Sequence, residues 1–215
     1  MQGKLIVIEG IDGSGKATQA ELLTQYLQKA GKSSRKITFP NYKSPACGAV
    51  KMYLGGEFGT KPDDVNAYAA STLYAVDRFA SFKTDWGQAY NNGEIIIADR
   101  YVTSNAVHQM AKISQGEWDA YLNWLYDFEY NKIGLPKPDH VIYLSLAENT
   151  SRALINIRAE AQDIHENDRE FMKRSREAAY YAAKHDNWLT INCDNNDNLL
   201  PREEITKLII RALNL

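Results

Sequence analysis

Apolar residues in this chain follow two rhythms, short solid runs and stripes spaced three or four apart, which alternate along the sequence. Leu5-Ile6-Val7-Ile8 heads a buried-type strand over about 4–9; Leu22, Leu23, Tyr26, Leu27 and Ala30 then recur at helical spacing and predict a helix over about 16–31. Lys36-Ile37-Thr38-Phe39-Pro40 is a second strand, ended by Pro40. Helices are predicted over about 44–55 and 65–90, the latter long, aromatic-rich and stopped by Asn91-Asn92-Gly93. Glu94 to Asp99 is a third strand, and Trp118, Leu122, Leu125 and Phe128 mark a helical stretch before the breakers Gly134, Pro136 and Pro138. A fourth strand over 140–144, helices over about 148–161 and 166–185, a fifth strand over 188–191 and a helix over about 201–213 complete the pattern. Five strands alternating with helices predict an α/β three-layer sandwich, a five-stranded parallel sheet with helices on both faces and ligands at the strands' carboxyl ends. No repeat or linker divides residues 1–215, which read as one domain with insertions.

Gly10-Ile11-Asp12-Gly13-Ser14-Gly15-Lys16-Ala17-Thr18 follows the first strand directly. Gly10, Gly15 and Lys16 fit the phosphate-binding loop G-x-x-x-x-G-K-[ST] up to its last position, where Ala17 replaces the hydroxyl residue. Such a loop turns backbone N–H groups inward at a helix N-terminus, and Lys16 adds a mobile charge for terminal phosphates. The competing reading is a plain Gly-rich turn; the buried-type strand before it and the amphipathic helix after it favour nucleotide binding. Asp99-Arg100 ends the third strand at the same sheet edge, where P-loop proteins hold a metal or its waters and where an arginine can grip a second phosphate. By pattern alone, Phe39 and Tyr74 are core residues and Arg78 a solvated charge.

Composition narrows the partners. Lys+Arg 25 against Asp+Glu 27 leaves a net charge of −2, so no broad basic field invites nucleic acid, and no segment is apolar enough to span a membrane. The 2 cysteines, Cys47 and Cys193, fit neither a disulfide framework nor a zinc site. A strand beginning at Lys4 leaves no room for a signal peptide, so the expected location is cytoplasmic.

At the P-loop, Phe39-Pro40, Tyr74-Ala75-Val76-Asp77-Arg78 and Asp99-Arg100-Tyr101-Val102-Thr103-Ser104-Asn105, the sequence resembles the thymidylate kinases, P-loop nucleoside monophosphate kinases, from residue 4 to about 212. The resemblance implies phosphorylation of dTMP by ATP with Mg²⁺, a small helical lid over about 152–168, and a homodimer. It implies that Gly10, Asp12, Gly13, Ser14, Gly15, Lys16, Ala17 and Thr18 bind ATP. Asp12 would also accept from the sugar 3′-hydroxyl, Arg100 grip the acceptor phosphate, and Asp99 stand near the metal, directly or through water. Tyr74 stands where the family stacks a Phe on thymine, Arg78 matches the donor to thymine O4, and Asn105 faces the base N3 edge. His108 lies by the sugar 2′ carbon, Phe39 lines the pocket, and Arg158 closes over the transferred group.

Two departures stand out. Ala17 removes a magnesium-ligating hydroxyl, and the lid is poor in arginine: Arg158 fits one of its usual basic positions, Leu154 and Asp163 occupy others, and Arg152 is a geometric alternative that nothing in the sequence selects. Two other readings stay open: a kinase for another monophosphate, and a catalytically weak nucleotide-binding module. A guanine-reading switch is disfavoured, because Asn131-Lys132-Ile133-Gly134 lacks the necessary acid.

Overall fold

Strand β1 (Leu5–Gly10) is buried at every position and lies at the centre of the sheet in the computed structural model, which describes residues 2–157, 163–165, 167–195 and 198–215. The chain continues through α1 (Lys16–Lys29), β2 (Ser34–Thr38), α2 (Gly48–Leu54) and α3 (Ala67–Ser81). After α3 come a π-helical turn at Phe82–Trp86, α4 (Gly87–Asn91), β3 (Ile95–Asp99), α5 (Thr103–His108) and α6 (Trp118–Tyr126). A second π-helical turn at Asp127–Lys132 precedes β4 (His140–Ser145), α7 (Glu148–Ile157), α8 (Arg169–His185) and β5 (Leu189–Asn192). A two-residue antiparallel ladder of β6 (Asp194–Asn195) and β7 (Asn198–Leu199) leads to α9 (Arg202–Ala212).

The five main strands lie in the order β2-β3-β1-β4-β5, all parallel, with Ile8 opposite Asp99 and Gly10 opposite Leu144. Side chains alternate between the two faces, as the two-residue strand period requires. Leu5, Val7, Ile96, Ala98, Val141 and Tyr143 enter an aromatic-rich core with Trp86, Tyr101, Trp118 and Tyr121. Ile6, Ile8, Ile97, Ile142 and Leu144 enter an aliphatic core with Ala20, Leu23 and Leu27 of α1 and Ile205 and Ile209 of α9. Both faces are covered, which is why the strands read as solid apolar runs.

The expected helix over 65–90 is three pieces. Its middle widens into the π-helical turn, and Gly87 is required there, since a Cβ would lie 2.3 Å from the carbonyl oxygen of Phe82. Helix α5 and the β6–β7 ladder have too little periodic sequence to have been expected. Strand β2 ends at Thr38, so Phe39 and Pro40 lie just beyond it, towards the site. Residues 158–162, with Arg158 and the middle of the expected lid, lie outside the described residues, as does the side chain of Arg152.

Candidate active site

The carboxyl ends of β1, β2 and β3 open into a cavity of about 930 Å³, lined by the P-loop, Phe39, Tyr42, Tyr74, Arg78, Asp99, Arg100, Asn105, His108 and His165. The loop owes its shape to glycine. Gly10 has φ of +156°, and a Cβ there would stand 2.4 Å from the Ser14 hydroxyl; Gly13 and Gly15 have φ of +79° and +82°. Gly15 is also the N-cap of α1 and offers no side chain to the first-turn amides, which are left for an anion. The Ser14 hydroxyl is buried beside them, without a partner among the described residues.

Lys16 folds back, its Nζ donating to the Ile11 carbonyl at 2.8 Å and standing 3.9 Å from Asp12 Oδ1. Burial, reinforced by Arg100, lowers its pKa to about 8 against the pull of Asp12. The same Asp12 oxygen forms an ion pair with Arg100. Burial alone would raise the Asp12 pKa, but Arg100 and then Lys16 hold it well below the usual carboxylate range. One carboxylate oxygen thus meets two cations.

Arg100 is aimed by its backbone, whose φ of +68° is the left-handed conformation rarely held by a side-chain-bearing residue. Glu9 keeps the following segment in place: fully buried in β1, it accepts from Thr103 Oγ1 at 2.7 Å and from Ser104 Oγ at 2.9 Å. Arg100 NH1 stands 3.0 Å from His108 Nε2, and since a guanidinium only donates, that nitrogen accepts. His108 is therefore neutral, in keeping with a pKa driven far down by burial and by Arg100. Asp99, the last residue of β3, is buried and lines the cavity beside Lys16.

At the floor of the cavity lies a second arginine. Arg78, only 1% exposed, donates from Nε and NH2 to the two oxygens of Glu129 at 2.7 and 2.5 Å. Its NH1 reaches the Tyr101 carbonyl at 3.3 Å. Asn105 Nδ2 donates to Glu129 Oε1 at 3.1 Å and to the Ser71 carbonyl at 3.5 Å. Phe39 packs on Tyr101 with centroids 6.0 Å apart, and Tyr74 is edge-on to Tyr53 at 6.3 Å. Arg78 is not the solvated charge its spacing suggested.

The cavity brings together every expected residue that is described except Gly10, which lies under the loop. It also shows residues that the sequence reading passed over. Tyr42 lines the cavity just past Pro40, on a segment pinned by the Asn41 amide donating to Asp77 Oδ2 at 2.7 Å. His165 stacks on His108 with centroids 5.7 Å apart, and its Nε2 lies 2.7 Å from the Tyr53 hydroxyl. That hydroxyl accepts from Lys112 Nζ at 2.7 Å and also lies 3.5 Å from the Pro62 carbonyl. Glu129, wholly buried, had a signal available: Leu122, Leu125 and Glu129 step by three and four, putting the acid on the apolar stripe where it needs a buried cation.

Among the described residues no group of three His, Cys, Asp or Glu forms a metal cluster. Mg²⁺ itself binds through one or two carboxylates and takes its other ligands from water and substrate phosphates. Asp99, an acid at a strand end beside the P-loop lysine, fits that part.

A P-loop and Arg100 meet across a cleft with an aromatic wall and a polar floor, the arrangement of a P-loop nucleoside monophosphate kinase. A sequence model of the family described as thymidylate kinase matches residues 8–205, and the chain belongs to that family. The thymidylate kinase of Mycobacterium tuberculosis is 34% identical over 184 residues, covering 83% of this chain and 84% of the relative. A probable thymidylate kinase of Methanosphaera stadtmanae is 30% identical over 215 residues, covering 98% and 99%. The solved thymidylate kinase of Candida albicans shares the fold with a TM-score of 0.73 at 22% identity, covering 99% of this chain and 92% of that one.

Proposed function

We propose a division of labour for the reaction of this family, transfer of the γ-phosphoryl group of ATP to the phosphate of dTMP. Lys16 and the loop amides hold the donor, and Arg100 grips the acceptor phosphate. An acceptor phosphate oxygen attacks the γ-phosphorus in line as the bond to the β,γ-bridging oxygen breaks, giving dTDP and ADP. Positioning and charge neutralisation supply most of the acceleration. Asp99, with nucleotide oxygens and water, would hold Mg²⁺, which neutralises phosphate charge when bound. Tyr74 stacks on thymine, Phe39 walls the pocket, Arg78 and Asn105 read the base edge, and His108 lies by the sugar. Asp12 trades its bond to Arg100 for one to the sugar 3′-hydroxyl, and residues 152–168 close as a lid that keeps water out.

The observation that carries this reading is Asp12 Oδ1, reached from both sides by Lys16 and Arg100, which sets the donor-side and acceptor-side cations next to each other. Lys16→Ala should lower turnover by roughly a thousandfold and leave dTMP affinity nearly unchanged. Near-normal turnover in that variant would overturn the donor assignment, and faster turnover of dAMP or dGMP than of dTMP by the native protein would overturn the base-site roles.

The proposal extends to a cytoplasmic homodimer joined through the exposed Tyr68, Val76 and Phe79 of α3. Sedimentation equilibrium reporting a monomer at micromolar concentration would remove that part. No helix among the described residues is long and apolar enough to cross a membrane.

A further inference from the structure

Three N–H donors converge on one buried carboxylate at the cavity floor: Nε and NH2 of Arg78 and Nδ2 of Asn105. An ionised carboxylate accepts and never donates. Asn105 must therefore turn its NH2 towards Glu129, and its second amide proton points at the Ser71 carbonyl. Both donors are then used inside the protein, and the side-chain carbonyl Oδ1 is what Asn105 has left to offer a ligand in the cavity it lines. Arg78, held by the same acid, has only N–H groups to offer.

We infer that Glu129 is the positioning residue that sets the base preference of this site, by fixing Asn105 as an acceptor beside the donor Arg78. The inference rests on the reading that Arg78 and Asn105 face the base. An acceptor next to a donor matches a ring N–H next to a carbonyl oxygen, the 3,4 edge of thymine and uracil. Cytosine offers an unprotonated N3 next to an amino group, so acceptor would meet donor only if both partners were reversed. Guanine has the same order of edge groups as thymine, so the informative comparison is between pyrimidines. The fold builds this device deliberately deep: Glu129 is 0% exposed and is carried on the π-helical turn Asp127–Lys132, which packs it against α3 and α5.

Glu129→Gln is the direct test, because an amide has one acceptor oxygen for three donors and an NH2 of its own. Asn105 can then turn its carbonyl to that NH2 and show the cavity a donor. The ratio of kcat/KM for dTMP over dCMP should fall at least about tenfold, through a higher KM for dTMP and a lower one for dCMP, with the KM for ATP unchanged. Equal losses on both pyrimidines, with the ratio kept, would mean that Glu129 only supports the fold and would overturn the inference. If Glu129→Gln does not fold, the native protein carries the test through its ¹⁵N-labelled asparagine side chains, with Asn105→Ala to assign the signal. Slow solvent exchange of the Asn105 amide protons, kept on adding dTMP, is expected; fast exchange would overturn the inference. A native protein that phosphorylates no pyrimidine monophosphate would instead overturn the function on which it rests.

Discussion

The site contains two arginine–carboxylate pairs that behave as opposites. Arg100–Asp12 sits at the cavity mouth with side chains 16% and 15% exposed; Arg78–Glu129 sits at the floor with 2% and 0%. At the mouth the guanidinium keeps some contact with water, and under the proposed function an incoming phosphate would compete with Asp12 for it. At the floor there is no such competitor, and either charge left alone would be stranded in a low dielectric. Burial by itself would lower the Arg78 pKa, yet Glu129 more than restores it. The same pairing is partly open to water in one place and sealed in the other.

The sharpest way to break this contrast is to remove one partner from each pair. Glu129→Ala should cost about 3–5 kcal/mol of unfolding free energy in urea titration, and Arg78→Met with Glu129→Leu should regain most of it. Arg100→Ala should cost less stability than Glu129→Ala, because its pair keeps some contact with water, but about 10²–10³ in kcat/KM for dTMP, or 3–4 kcal/mol of transition-state binding. Equal stability losses at both places would dissolve the distinction.

Acid offers a second lever, through the buried histidines His108 and His165 beside Arg100. Burial lowers the His165 pKa to about 3, with Lys112 adding to the effect. Once unfolded, the ring regains its ordinary value near 6.5 and takes up a proton that the fold refuses. Stability is therefore complete above about pH 6.5 and declines as pH falls, by on the order of 2 kcal/mol between pH 7 and 5 for this residue. Asp12 acts only lower, because its folded pKa is depressed and the unfolded carboxylate does not protonate until near pH 4. Urea titrations of His165→Gln should show a flatter pH dependence in that window; an unchanged slope would place the proton elsewhere.

The smallest effect concerns the donor side. With Lys16 titrating near pH 8, kcat/KM for ATP should fall about tenfold per pH unit above that value. Lys16→Arg should move the falling limb upward, and a limb that stays in place would assign it to another group.

The scaffold was largely legible because its signals are local. Buried parallel strands read as solid apolar runs, the P-loop as glycine spacing, and the ends of β1 and β3 as the place where Asp12, Lys16, Asp99 and Arg100 gather. What escaped depends on contacts between distant segments. Arg78 looks solvated until Glu129, 51 residues later, is brought against it by a π-helical turn. Phe128 continues the apolar spacing of its helical stretch but is only half-buried, and the neighbouring Glu129 is the residue buried there. His165 and Tyr42 reach the cavity from segments with no periodicity to reveal their direction.

One bond joins the P-loop to a distant helix. Ser151, buried in the first turns of α7, donates from its hydroxyl to the backbone carbonyl of Asp12 at 2.7 Å. The helix that leads towards residues 158–162 is thus hinged on the residue whose carboxylate holds Arg100. That bond ties the start of α7 to the backbone of the P-loop, so the two segments share one position.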